Sequence, residues 1–297
     1  MADQTTTAIT NQMRAMQCDL FELGIYNADA QNIKGEVVGA MTLRTYDADT
    51  LLSSISWLKS MNAKGNHIYI RPAGEHSLTL VDDLSSQALA NMKSNGFTPA
   101  LVVETSPKNY QAWLQHGEIL DAKTSTACAK YCANKFDADP GAAAWRQFGR
   151  LAGFTNCKAK YRQDNGYFPF VQLKEFTGLS YTEAERTVAA AKQIVSVELA
   201  KAEERRKEFA ARPPVAYDLK QMKTVDAFRQ DPKYGGDNTR ADLAFATYAV
   251  SKQMPLGDIE SALRTRDLSG KGSDARQQDY LTRTIGKAQQ NINSMGR

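Results

Sequence analysis

The stretch RPAGEHSLTLVDD, Arg71–Asp83, carries an apolar, β-prone run, Leu78-Thr79-Leu80-Val81, up to two adjacent carboxylates, Asp82 and Asp83. The run predicts a strand. A helix is expected directly after it, from Ser85 to Asn95, with Gly96 as its C-cap. Two like charges side by side repel. A chain tolerates them where water screens them, where a helix N-terminus stabilises them, or where a cation sits between them. Two readings are therefore open for the pair: Asp83 caps the helix, or both residues hold a metal. Consecutive strand residues point to opposite faces, so the metal reading requires the strand to end or twist at Asp82.

Working outward, NHIYIRP (66–72) alternates as a strand, and Ala73-Gly74 predicts a hairpin or an adjacent pair with HSLTLVDD. Upstream, residues 4–17 read as a short polar helix, and FELGIYN (21–27) and GAMTLRTY (39–46) as strands joined through a loop containing Gly35. Asp47 to Thr50 caps a helix to about Met61, with Leu51, Ile55, Leu58 and Met61 at helical spacing. Downstream, PALVVETSP (99–107) and NYQAWLQ (109–115) read as a strand pair across Pro107-Lys108, and a helix spans 121–135. Several strands are neighbours in sequence, which predicts an α/β (α+β) domain with a mixed or antiparallel sheet and helices packed on it. Residues 181–212 read as one long helix ended by Arg212-Pro213-Pro214, with apolar positions that fade after about residue 200. Helices over 239–253, 256–266 and 274–293 then predict a small bundle. The expected organisation is a domain over 1–180, a long connecting helix over 181–214 and a helical C-terminal domain over 215–297.

The 297 residues, 42% hydrophobic and 24% charged with a net charge of +4, suit a soluble globular protein with a sizeable core. No apolar run is long enough to cross a membrane, and the N-terminus lacks the pattern of a signal peptide. Cys18, Cys128, Cys132 and Cys157 form no secreted framework, so they are expected to be reduced thiols in a cytoplasmic protein. A P-loop and a G-x-G-x-x-G after a strand are both missing. The three histidines, His67, His76 and His116, do not form a paired-His metal site. What remains is carboxylates and a basic stretch. Trp145 to Lys174 holds six Lys or Arg against one Asp, interleaved with seven aromatic residues. Carboxylates that hold a divalent metal, beside cations that hold phosphates, suit nucleotidyl transfer. Asp137 or Asp139, just before the basic stretch, is a candidate third carboxylate.

RPAGEHSLTLVDDL, VVETSPKNYQAWL and FGRLAGFTNCK, in that order and spacing, resemble the RepB-type primases of mobilisable broad-host-range plasmids, distant members of the archaeo-eukaryotic primase superfamily. The resemblance runs from about residue 19 to the end of the long helix, and the region from Asp237 onward resembles the helical domain of such primases. It implies a DNA primase that makes short primers on single-stranded DNA at the initiation sites of a plasmid origin. It implies Mg²⁺ or Mn²⁺ as cofactor, with Asp82, Asp83 and Asp139 as the acidic, metal-holding residues and Asp137 as competitor for the third place. Arg150, Asn156 and Lys158 fall on the R-L-x-G-x-x-N-x-K pattern and are implied to grip nucleotide phosphates and the template backbone. His76 and Arg71 are further candidates for nucleotide contact. Thr105, Ser106, Asn109 and Gln111 read either as template contacts or as turn formers. Nucleoside triphosphates, a single-stranded template and a replicative helicase are the implied partners, with no membrane. The alternatives are a non-catalytic single-stranded DNA or origin-binding replication protein, and a conjugative relaxase fragment, which the scattered histidines disfavour.

Overall fold

The computed structural model describes residues 3–32, 35–211 and 222–295. It divides into two units, Met1–Val197 and Glu198–Arg297.

The first unit opens with helix α1 (Gln4–Met16), capped by Asp3. Strands β1 (Phe21–Asn27) and β2 (Ala40–Tyr46) follow, then helices α2 (Ala48–Ser53) and α3 (Ile55–Ala63), and strands β3 (His67–Pro72) and β4 (His76–Ser85). Helix α4 (Ser86–Ser94) leads to β5 (Leu101–Ser106), β6 (Asn109–Leu120), α5 (Ala122–Lys135), the two-residue β7 (Gly149–Arg150) and β8 (Gln172–Phe176). The strands make two four-stranded sheets, ordered β2-β1-β3-β7 and β4-β6-β5-β8, with every strand pair antiparallel.

β3 and β4, expected to pair, lie in different sheets. Gly74, at φ +71°, turns the chain out of the first sheet, and β4 joins β6 in the second. β3 instead lies between β1 and β7. The pairing of β5 with β6 through Pro107-Lys108 does form, with Lys108 in the left-handed region.

The second sheet is buried on both faces. Leu78, Leu80, Leu101, Val103 and Trp113 face a core shared with α1 and with Leu23, Ile25, Ile68 and Ile70 of the first sheet. Val81, Leu84, Val102, Ala112 and Leu114 face a second core with Leu89 and Met92 of α4 and Ala129, Cys132 and Phe136 of α5. Strands buried on two faces need apolar residues at successive positions, which is why LTLV and ALVV read as continuous apolar runs. β7 lies close against β6: a Cβ on Gly149 would come within 2.7 Å of the Trp113 ring, closer than any side chain tolerates.

Helix α6 spans Ala184–Ala211, three residues later in its start than the sequence pattern suggests. Its predicted end at Arg212-Pro213-Pro214 lies outside the described residues, as does the expected boundary at 214/215. The second unit holds α7 (Val225–Arg229), α8 (Asn238–Ser251), α9 (Leu256–Leu263) and α10 (Asp274–Met295) around a core of its own, with Phe245, Ile259, Leu263, Leu281 and Ile285 at its centre. A buried charge cluster pins these helices. Asp242, fully buried, pairs with Arg229 at 3.0 Å and with Arg266 at 2.7 Å, and accepts the Tyr280 hydroxyl at 2.7 Å. A buried carboxylate persists only with such compensation. No helix among the described residues is long and apolar enough to cross a membrane.

Candidate active site

Asp82 and Asp83 sit inside β4, not at its end. The strand continues to Ser85, where Ser85, not Asp83, caps α4 by accepting from Ala88 N at 3.1 Å. What separates the two carboxylates from regular strand geometry is a register shift against β6 between Val81 and Leu84, with Asp83 at φ +62°. Val81 and Leu84 both face the α4–α5 core although they are three positions apart. Regular pleating would put residues three apart on opposite faces, so one extra residue has been taken up as a β-bulge. Asp82 and Asp83 therefore share the other face.

Their partners agree. On β6, Asn109, Gln111 and Trp113 alternate onto that face. Asn109 Nδ2 donates to Asp83, and Gln111 Nε2 donates to Asp82 Oδ1 at 2.9 Å. Asp83 N also donates to Asp82 Oδ1, at 2.7 Å. Burial pushes the Asp82 carboxyl above the usual carboxylate range; the Gln111 and Asp83 hydrogen bonds oppose this, and the charges of Asp83 and Asp139 add to it.

Asp139 arrives from the loop after α5. Its backbone N–H donates to Asp82 O at 3.1 Å, which fixes this loop to the bulge. Its carboxylate accepts from Gly141 N at 2.8 Å as the cap of a short 3-10 turn, Pro140–Ala142. Asp137, two residues earlier, is exposed and takes a left-handed φ of +53°. Among the described residues, no three His, Cys, Asp or Glu side chains converge closely enough to enclose an ion as they stand.

Arg150 closes the other side. Gln111 Oε1 accepts from Arg150 N at 2.7 Å, so one side chain links the bulge carboxylate to β7. Arg150 is 3% exposed, and its guanidinium donates to His67 Nδ1 at 2.9 Å and lies 4.5 Å over the Tyr69 ring. No carboxylate among the described residues comes within 4 Å of it. Burial lowers its proton affinity, while Tyr69 and Asp82 raise it. The same burial, with the charges of Arg150 and Lys158, drives His67 down to about 4, so this ring is neutral beside the arginine. Lys158 is exposed. Asn156 is buried, holds Thr105 O at 2.7 Å through Nδ2, and accepts from Lys158 N at 3.4 Å; it fastens the basic loop to β5.

Arg71 and His76 are not brought to this cluster. Arg71 is buried under Phe148, 4.1 Å from the ring centre, with its donors taken by Glu22, at 2.6 Å through Nε, and by Arg146 O. His76 joins Trp145 O at 3.2 Å and accepts from Leu78 N at 3.2 Å. Both anchor the segment 145–148. Tyr69, His67 and Gln12 also belong to the cluster, although no motif marks them. Gln12, fully buried on α1, clamps β7 by donating to Arg150 O at 3.1 Å and accepting from Ala152 N at 2.8 Å. The alternation of NHIYIRP places His67 and Tyr69 on one face, a signal that was available; a lone Gln in a polar helix offers none.

The chain belongs to the RepB DNA-primase N-terminal domain family, whose model matches residues 10–202. It is 35% identical over 294 residues to Mobilization protein A of Escherichia coli, in an alignment that takes in 96% of this chain and 40% of that protein. The chain thus spans about two fifths of the length of that relative. A crystal structure of primase RepB′ superposes with a TM-score of 0.63 at 34% identity, covering 96% of this chain and 94% of that one. A second structure, the catalytic domain of primase RepB′ in complex with initiator DNA, superposes with a TM-score of 0.58 at 42% identity, covering 67% of this chain and 98% of that one.

Proposed function

We propose that the chain is a DNA primase that makes short primers on single-stranded DNA. One observation carries this reading: the β4 bulge brings Asp82 and Asp83 onto one face, and Gln111 ties that pair to a buried arginine without a carboxylate partner. An uncompensated cation beside crowded carboxylates suits a ligand that brings both a polyphosphate and a metal. The family, and a 42% identical catalytic domain solved with initiator DNA, support the same reading.

The reaction joins the 3′-oxygen of one nucleotide to the α-phosphorus of the next; that P–O bond forms as the bond to pyrophosphate breaks. Asp82 and Asp83, joined by Asp139, would hold the metal. When bound there, Mg²⁺ or Mn²⁺ supplies positive charge against the triphosphate and lowers the proton affinity of the 3′-hydroxyl. Burial raises the proton affinity of Asp82, and the neighbouring charges of Asp83 and Asp139 add to the rise. Arg150 offers its guanidinium to the phosphates from a position fixed by His67, Tyr69 and Gln111. Lys158, exposed on the basic loop, draws in phosphates of the nucleotide or template, and Asn156 acts by fastening that loop. Exposed Tyr167 and Phe170 on the same stretch stack unpaired bases. Arg71 and His76 contribute by holding the segment before β7. A replicative helicase is a further partner in this reading.

Primer synthesis from labelled nucleotides on single-stranded origin DNA, with and without divalent metal, tests it. Asp82→Asn with Asp83→Asn is expected to reduce synthesis by a hundredfold or more, on the scale of losing a metal-holding charge, and to leave DNA binding intact. Full synthesis by that variant would sink the mechanism. A non-catalytic origin-binding role would instead give DNA binding and no synthesis by the unaltered chain.

A further inference from the structure

The second unit carries a groove of about 530 Å³ between α8, the turn at Ser269–Lys271 and α10. Its lining includes Lys271, Arg276, Arg283 and Lys287 against one carboxylate, Asp279. The arrangement is ordered by the fold. Tyr280, buried, forms the floor, and its hydroxyl is fixed by Asp242 at 2.7 Å. Lys271 lies 4.6 Å over the Tyr280 ring and donates to Thr239 Oγ1 at 2.9 Å, so its charge is held at the rim. Asp279 is paired with Arg283 at 2.8 Å and so neutralises only one of the four cations. Arg276 and Lys287 are exposed and have no carboxylate within 4 Å among the described residues. A solvated helix face on such a bundle usually mixes its signs; this one gathers cations along a concave line.

We propose that this groove binds the phosphate backbone of a single DNA strand, as a contact separate from the acidic centre of the first unit. Arg276, Arg283 and Lys287 recur along one side of α10 over eleven residues, a reach of about 16 Å at 1.5 Å per residue. Such a row matches successive phosphates of an extended strand. A free nucleoside triphosphate is too compact to meet both ends of it. The inference goes beyond the primase reading, because it needs no catalysis and involves none of the residues assigned to the reaction.

The test is fluorescence anisotropy of a labelled single-stranded oligonucleotide with the full chain, across a salt series. Arg276→Ala with Lys287→Ala should weaken binding about tenfold, and should make the plot of log affinity against log salt shallower by about 1.4, since each single-strand phosphate contact contributes about 0.7. Arg276→Lys with Lys287→Arg should retain both. Circular dichroism melting of the alanine variant checks that the bundle is intact; both positions are exposed, so an unchanged melt is expected. An affinity and salt slope equal to the unaltered chain would overturn the proposal. Loss of nucleoside triphosphate binding by the alanine variant, with DNA binding kept, would overturn the strand assignment. The chain carrying Asp82→Asn and Asp83→Asn serves as a further arm: its DNA binding through the groove should persist, so failure of the primase reading and failure of this one give different results.

Discussion

Gln111 shows how one neutral residue can organise a charged site. Its amide donates to Asp82 and accepts from the backbone of Arg150, so it sets the distance between the carboxylates and the arginine without adding charge of its own. The histidines act similarly by staying neutral. His67 and His116 are both held down to about 4, chiefly by burial. His116 lies between the Thr79 hydroxyl at 2.8 Å and the Tyr181 hydroxyl at 3.0 Å, far from any chemistry. In the unfolded chain each ring takes its proton near 6.5, but in the fold not until about 4. Between those values the unfolded state binds the extra protons, so stability falls as pH drops from 6.5 towards 4 and is flat above 6.5. Each ring contributes on the order of 3 kcal/mol to that fall. His76, also lowered by burial, adds to the fall; denaturant melts at pH 7 and pH 4.5 should show it, and His116→Gln should remove part of the dependence. A dependence unchanged in His116→Gln would mean other groups govern the acid limb.

At the scale of the element, the bulge in β4 is the device on which the site depends. A regular strand would send Asp82 and Asp83 to opposite faces. The extra residue, with Asp83 in the left-handed region, puts both beside Asn109 and Gln111. Asn adopts that backbone conformation readily, while a β-branched residue resists it. Asp83→Asn should therefore leave thermal stability unchanged within about 0.5 kcal/mol, and Asp83→Val should cost about 1–2 kcal/mol; equal melting of the two variants would deny the bulge its strain. This device also marks where legibility in the sequence stopped. The run Leu78–Val81 announced a strand and the family pattern singled out the acidic pair, but a bulge has no local signature when its left-handed residue is not glycine. The β3–β4 pairing failed for a related reason. Ala73-Gly74 is a good turn, and which sheet the chain enters after it is decided by packing against β6, forty residues on. Arg71 and His76 flank the same run, and their polar groups meet tertiary partners that the sequence does not announce, Glu22 and the Trp145 carbonyl.

Across the whole molecule, the apolar cores fall in separate stretches of the chain. The cluster built on Phe245, Ile259, Leu263, Leu281 and Ile285 takes its members from residue 222 onward, and the clusters around the two sheets take theirs from residue 8 to residue 191. Each unit then has its own apolar burial to offset its own chain entropy, and the two should unfold as separate cooperative steps. Calorimetry of the full chain is expected to resolve two transitions. Leu281 is fully buried in the helical unit, so Leu281→Ala should cost about 2–5 kcal/mol there and lower one transition only. The surviving transition should be the one that a tight-binding nucleotide and metal shift, because the acidic centre and Arg150 belong to the first unit. If Leu281→Ala instead lowered both transitions together, the units would be coupled in stability, and DNA binding at the α10 groove would be expected to stabilise the acidic centre as well.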